Sequence, residues 1–323
     1  SGLFNGIPIA CVEKDVAFNQ DIKCLDSYRE VENEFIFYWL LSQKDYLMAK
    51  VGVTGIGAGK FDLDFLQKLM IPIPSERERK SIVGFANSIS EKIRCNAKVN
   101  DNLQQQAVTL FKSWFVDFSL FGGTVPENWE DTTLENITTL ITRGIAPKYS
   151  NDSDQTVINQ KCIRNHTIDL SLARSHTPKA INEKWLQFGD LLINSTGDGT
   201  LGRVAQVWFA PKALTVDSHV TIVRPAREEL IFYIGLWGIL HEKEIESLHT
   251  GSTGQTELPR DRVKMLKLLL PDNISLSRFN SIIAPMTSTI ISNQEENQKL
   301  ANLRDTLLPK LMSCEIGVAN IQL

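Results

Sequence analysis

The sequence predicts an α+β protein in which mixed α/β modules alternate with two long helices that pair as an antiparallel coiled coil. An internal repeat at a spacing of 197 residues is the first observation behind this, and an apolar seam after each copy is the second. The third is the length, 323 residues, which at roughly 150 per domain leaves room for about two. With 42% hydrophobic and 22% charged residues the chain is neither disordered nor collagen-like. Its apolar runs fall short of the ~20 residues that cross a bilayer as a helix.

Residues 1–74 read as the C-terminal part of a first module. Phe35-Ile36-Phe37-Tyr38 echoes Leu230-Ile231-Phe232-Tyr233, and Gly52-Val53-Thr54-Gly55 echoes Gly251-Ser252-Thr253-Gly254. Leu66, Leu69, Ile71, Ile73 and Pro74 match Val263, Leu266, Leu268, Leu270 and Pro271 at the constant spacing of 197, so each copy should end in a strand closed by proline. Ala17 to Leu25 corresponds to Thr215 to Val223. Residue 1 therefore falls near the equivalent of residue 199, and roughly 70 residues of the first module are not in this sequence. A fragment and a natural start within the module both fit.

Residues 75–118 form the first long helix. Its seam reads Ile82, Ala86, Ile89, Ile93, Asn96, Asn100, Leu103, Ala107, Leu110 and Trp114, in alternating steps of four and three. The second helix, within residues 272–323, repeats the pattern from Phe279 to Leu311. At 1.5 Å per residue, about 39 residues make each helix nearly 60 Å long. Asn96 and Asn100, with Asn293 and Asn297 at equivalent seam positions, predict a register lock, because a slipped buried amide loses its partner. Simple solvation is the competing reading.

Residues 119–271 hold one complete module behind the linker Ser119 to Pro126. Strands are expected at Thr156-Val157-Ile158, Asp190 to Asn194, Val204 to Phe209 and Val220 to Val223, and a helix from Leu230 to Ser247.

Modules alternating with two long helices resemble the specificity subunit of type I restriction-modification systems. Pro126-Glu127-Asn128-Trp129 with Leu134-Glu135-Asn136-Ile137 looks like the opening of a target recognition domain. Gly189 to Gly197 with Gly199-Thr200-Leu201-Gly202-Arg203 looks like its central strand and glycine loop, and Gly251 to Gln255 like its late loop. The first copy departs there, with Val53 and a glycine-rich insertion reaching Lys60. The resemblance implies that each recognition domain reads one half of a bipartite DNA sequence, and that the helices space the halves. It also implies docking of modification (methyltransferase) subunits, with restriction subunits joining them. Such a complex methylates adenine and cleaves unmodified DNA, while the specificity chain is non-catalytic. S-adenosylmethionine, ATP and Mg are then expected only in partner subunits, and no metal or cofactor in this chain.

Base reading needs fixed donor and acceptor pairs on loops that approach the duplex closely. The stretch Asn194, Ser195, Thr196, Gly197, Thr200 and Arg203 supplies them, with an ordinary tight connection as the alternative. The late loop offers Thr250, Ser252, Thr253 and Gln255, the last a possible adenine reader. Arg143, Lys148 and Tyr149 combine cations and an aromatic on a turn. Asn159, Gln160 and Lys161 follow one predicted strand, and Ser218 and His219 precede another. Asn19, Gln20, Thr54 and Lys60 are their counterparts in the first copy.

No Asn/Asp-Pro-Pro-aromatic tetrapeptide, phosphate loop or nucleophile–base arrangement is present, so the sequence predicts no enzyme. Five well-separated cysteines and the lack of a basic-then-apolar leader suggest buried thiols in a cytoplasmic protein. The net charge of −4 speaks against tight DNA binding by the chain alone. By segment the balance runs −3, +2, −2 and −1, so no part is a basic clamp and methyltransferase partners are expected to supply that surface. A coiled-coil interaction scaffold that no longer reads DNA is the alternative.

Overall fold

The computed structural model describes residues 7–318 except 13, 20, 29, 54–58, 61–62, 151 and 252–255. Its elements run α1 (Glu30–Ser42), α2 (Lys44–Met48), β1 (Gly52–Val53), β2 (Gly59–Lys60), α3 (Leu63–Gln67) and α4 (Glu76–Phe115). Then follow β3 (Glu130–Thr133), β4 (Thr138–Arg143), β5 (Thr156–Ile158), β6 (Ile163–Arg164), β7 (Thr167–Ile168) and β8 (Arg174–Ser175). The second half holds β9 (Leu191–Asn194), β10 (Val204–Gln206), β11 (Leu214–Val216), β12 (Val220–Pro225), α5 (Ile231–Leu240) and α6 (Glu242–Ser247). The chain closes with α7 (Arg260–Lys264), β13 (Lys267–Leu270) and α8 (Asn273–Met312). Helices α3 and α7, and likewise α4 and α8, begin and end 197 residues apart. The repeat is thus one of structure as well as sequence.

The chain divides into two compact units, Ser1–Lys98 with Asn293–Leu323, and Val99–Ser292. In the first, Phe35, Tyr38 and Trp39 of α1 pack with Ile82, Ala86 and Ile89 of α4 and with Leu308, Leu311 and Met312 of α8. The Tyr38 hydroxyl donates to Asn87 Oδ1 at 2.6 Å, giving the buried phenol its partner. The strand expected at Leu69 to Ile73 does not form, and Met70 and Ile73 are exposed. Its counterpart β13 is a strand by pairing with β3, from Lys267 opposite Thr133 to Leu270 opposite Glu130. Among the described residues no strand pairs with this segment, and an extended segment without a ladder partner is not a strand.

Three of the seam asparagines hydrogen-bond from one long helix to the other. In the first unit Asn96 Nδ2 donates to Asn297 Oδ1 at 2.9 Å and to Glu296 Oε2 at 2.7 Å, while Asn297 Nδ2 donates to the Ile93 carbonyl at 3.4 Å. In the second unit Asn100 Nδ2 donates to the Ile290 carbonyl, also at 3.4 Å. Asn100 is the repeat equivalent of Asn297, and Ile93 of Ile290. One hydrogen bond therefore occurs twice with the copies exchanged, and within each unit the two helices run antiparallel.

The second unit is built on a four-stranded antiparallel sheet in the order β10-β9-β12-β4. Leu191 and Ile193 of β9 face a core shared with α5, Phe111 and Phe279, whereas Leu192 faces a second core with Ile158, Leu214 and Val216. Both faces are buried, so β9 reads as a continuous apolar run instead of an alternation. The second core is lined by a smaller sheet, β11-β5-β8, whose first pair is parallel. The helix expected from Leu230 to Ser247 is interrupted at His241 (φ −99°, ψ 13°), whose ring stacks on Trp237 at 4.7 Å. Of the five cysteines only Cys162 is buried; Cys11, Cys24, Cys95 and Cys314 are exposed, against the expectation of buried thiols.

Both long helices open on a capping residue. Ser75 and Glu78 form a reciprocal capping box at α4, with Ser75 N–H donating to Glu78 Oε2 at 2.9 Å. At α8 the equivalent residue, Asp272, accepts from the amides of Ile274 and Ser275 and from Trp129 Nε1 at 2.8 Å. Partial burial acts to raise its pKa, but the Ser275 and Trp129 hydrogen bonds outweigh it and hold the carboxyl at about 2. This value lies below the ordinary 3.8, so the stabilisation is complete above about pH 4 and is lost as pH falls from there towards 2. Asp272→Ala should cost about 1–2 kcal/mol at pH 7 and much less near pH 2, measured by urea unfolding at both pH values.

Candidate nucleic-acid interface

The chain leaves β9 at Asn194 and enters a loop that returns at Val204. Three glycines with positive φ, Gly197 (98°), Gly199 (70°) and Gly202 (85°), let it turn this tightly. A Cβ on Gly202 would lie 2.7 Å from Glu246 Cβ, and one on Gly197 would lie 2.8 Å from Gln160 Nε2. The loop thus lies against α6 on one side and Gln160 on the other. Thr200 Oγ1 donates within the loop to the carbonyls of Thr196 and Gly197, and Arg203 Nη2 donates to the Gly199 carbonyl at 2.6 Å.

Thr196 links the loop to two further segments. Its hydroxyl donates to Gln160 Oε1 at 3.1 Å and lies 2.7 Å from His219 Nδ1. The His219 amide donates to Asp217 Oδ1 at 2.9 Å. Burial pushes the Asp217 carboxyl up, opposed by that amide and by the His219 ring. The late loop joins through Glu257, which bridges antiparallel to both Thr196 and Thr250. Arg143, at the end of β4, reaches Glu257 Oε1 at 2.6 Å and the Leu258 carbonyl at 2.9 Å.

Gln160, Thr196, Gly197, Thr200, Arg203, His219, Arg143 and Thr250, predicted from five separate stretches, are therefore one cluster at one end of the main sheet. Two predicted members lie beneath it. Asn194 and Ser195 are wholly buried. Asn194 Nδ2 donates to the Gln160 carbonyl and the Ser195 hydroxyl lies 2.6 Å from Thr221 Oγ1, so both are struts of the loop and not surface contacts. Asn159 also serves the backbone, accepting from the Lys161 amide, while Lys161 is exposed beside Gln160. Ser218 is half-buried in the turn next to His219.

Lys148 and Tyr149 belong to a neighbouring patch. Tyr149 bridges to His176, and the Arg174 guanidinium sits 3.6 Å from its ring centroid. In the other unit, Asn19 caps the Asp21 amide at 3.1 Å and Lys60 pairs with Gly52. Gln20, Thr54, Ser252, Thr253 and Gln255 lie outside the described residues. Among the described residues no group of three or more metal-ligating side chains is found, and no helix is long and apolar enough to cross a membrane.

Residues 7–105 match the family described as "Type I restriction modification DNA specificity domain". Over 341 aligned residues the chain is 24% identical to the type I restriction enzyme MjaIX specificity subunit of Methanocaldococcus jannaschii, covering 97% of this chain and 76% of that protein. The chain is thus similar to type I specificity subunits along most of its length, with the family match confined to its first third. The HindI specificity subunit of Haemophilus influenzae is 21% identical over 364 residues, covering 88% of this chain and 77% of its own. In fold the chain is similar to the S subunit of a type I restriction-modification system from M. genitalium, with a TM-score of 0.53 at 16% identity over 88% of this chain and 74% of that one.

Sequence reasoning missed two residues that organise the cluster. Thr221 could have been found as a polar residue in the strand that follows His219. Glu257 carries no local signal; its role comes from two loops meeting in space.

Proposed function

We propose that this chain selects DNA for a type I restriction-modification complex, directing adenine methylation, and cleavage of unmodified duplex, to a bipartite target. The observation that carries this reading is the convergence of the glycine loop, the Gln160 segment, the His219 turn and the Arg143 turn at one end of a rigid sheet. Donors and acceptors fixed on a rigid scaffold are what base reading requires. The antiparallel helices act as a coiled-coil spacer and as the docking surface for methyltransferase subunits, with restriction subunits joining the larger assembly. S-adenosylmethionine, ATP and Mg belong to those partners, and this chain contributes selectivity without catalysis. The setting is the cytoplasm.

The charge distribution supports a division of labour. Arg143 is matched by Glu257, and the charge of Arg203 is among the influences that hold the Glu242 carboxyl low, where burial alone would raise it. The module should therefore bind DNA weakly by itself and tightly in its complex. Mapping adenine methylation in cells with and without the gene should reveal a bipartite motif that depends on it; no gene-dependent motif would refute the reading. Arg203→Ala should weaken binding to that motif about tenfold while leaving co-purification with the methyltransferase intact. Equal losses of both would place Arg203 in the scaffold instead.

A further inference from the structure

We propose that Glu257 is a specificity-determining residue, whose carboxylate occupies Arg143 in place of a DNA phosphate until a matching duplex seats in the loops. This rests on the reading of the module as a DNA-recognition unit. Arg143 Nη1 lies 2.6 Å from Glu257 Oε1, while Nη2 donates to the Leu258 carbonyl at 2.9 Å. The Arg143 side chain is three-quarters covered, yet the Glu257 side chain facing it is 57% exposed. A charged acceptor that meets solvent at the mouth of a cationic site occupies the position an incoming phosphate oxygen would take.

The backbone that carries the carboxylate is fixed. The Glu257 amide donates to the Thr250 carbonyl at 2.9 Å and its carbonyl accepts from the Thr250 amide at 2.8 Å. Leu258 N–H donates to the Ser195 carbonyl at 2.8 Å, which fixes the same segment to the end of β9. Glu257 is therefore held between the two loops that a duplex would have to engage. A non-matching duplex meets Arg143 already neutralised and gains no counterion release from it. A matching duplex that engages Thr196 and draws Glu257 away from Arg143 frees the cation.

Glu257→Gln keeps an acceptor oxygen for Arg143 and removes the charge. The methyltransferase complexes of the chain and of this variant would be titrated with a random-sequence duplex of about 30 base pairs, and with one enriched by selection, across a salt series. The variant should bind the random duplex about fivefold more tightly, with a log–log salt slope steeper by about 0.9. Its preference for the enriched duplex should narrow accordingly. Adding Arg143→Gln should cancel the gain, and Arg143→Gln alone should weaken the enriched duplex but not the random one. Unchanged affinity and slope for Glu257→Gln, with wild-type selectivity intact, would overturn this inference alone. If no duplex is enriched for the wild type, the recognition reading falls and the inference with it.

Discussion

Gly144→Ala is expected to destabilise the second unit by at least about 4 kcal/mol, seen as loss of soluble protein or a large drop in the urea midpoint. A Cβ at this position would lie 1.9 Å from the Val216 carbonyl oxygen, 2.4 Å from its carbon and 2.5 Å from the Asp217 oxygen. All three are backbone atoms, and β11, to which Val216 belongs, is held by the ladder to β5. Nothing there can rotate away. Gly144 is needed for close approach of two chain segments, not for an unusual φ. Gly235→Ala is the instructive contrast, since its Cβ would meet Gln206 Oε1 at 1.8 Å, the end of a side chain. That amide donates to Gly189 and Ile231 carbonyls and accepts from Trp208, so displacing it should cost about 1–3 kcal/mol. A wild-type midpoint for Gly144→Ala would refute the close approach of β4 and β11.

Asp190→Ala should cost about 3–5 kcal/mol, because it strands a largely buried guanidinium. Arg224 meets Asp190 in a two-pronged pair, Nε to Oδ1 and Nη2 to Oδ2, each at 2.8 Å, with the Asp190 side chain wholly buried. The same guanidinium donates to the carbonyls of Glu183 and Trp185, and Asp190 accepts from the Gln187 amide. The pair thus ties the segment before β9 to β12. Lys179→Ala removes an exposed donor to the Ala146 carbonyl and should cost less than about 1 kcal/mol in the same urea titration. Similar midpoints for the two variants would deny the buried pair its role.

The repeat made most of the architecture readable. Both long helices follow the apolar seam, and Asn96, Asn100 and Asn297 on it reach the facing helix. The loops were legible through their glycines, whose positive φ values exclude most other residues. Exposure was not legible. Asn194 and Ser195 look like surface polar residues in sequence, yet they end a strand buried on both faces and spend their polar atoms on Gln160 and Thr221. Glu257 was invisible for the opposite reason. Its significance depends on Arg143, 114 residues away, and on two loops whose meeting no local pattern encodes. The strand expected at Leu69 to Ile73 failed because a strand is a property of a pair.

The hydrogen bond that recurs with the copies exchanged, Asn297 to Ile93 and Asn100 to Ile290, carries a consequence for how far the two copies can diverge. In each unit the asparagine of one helix is met by a main-chain carbonyl of the other, and a carbonyl is present whatever side chain stands at that position. A lock that is read by the backbone leaves the facing residue free to change in one copy without a matching change in the other.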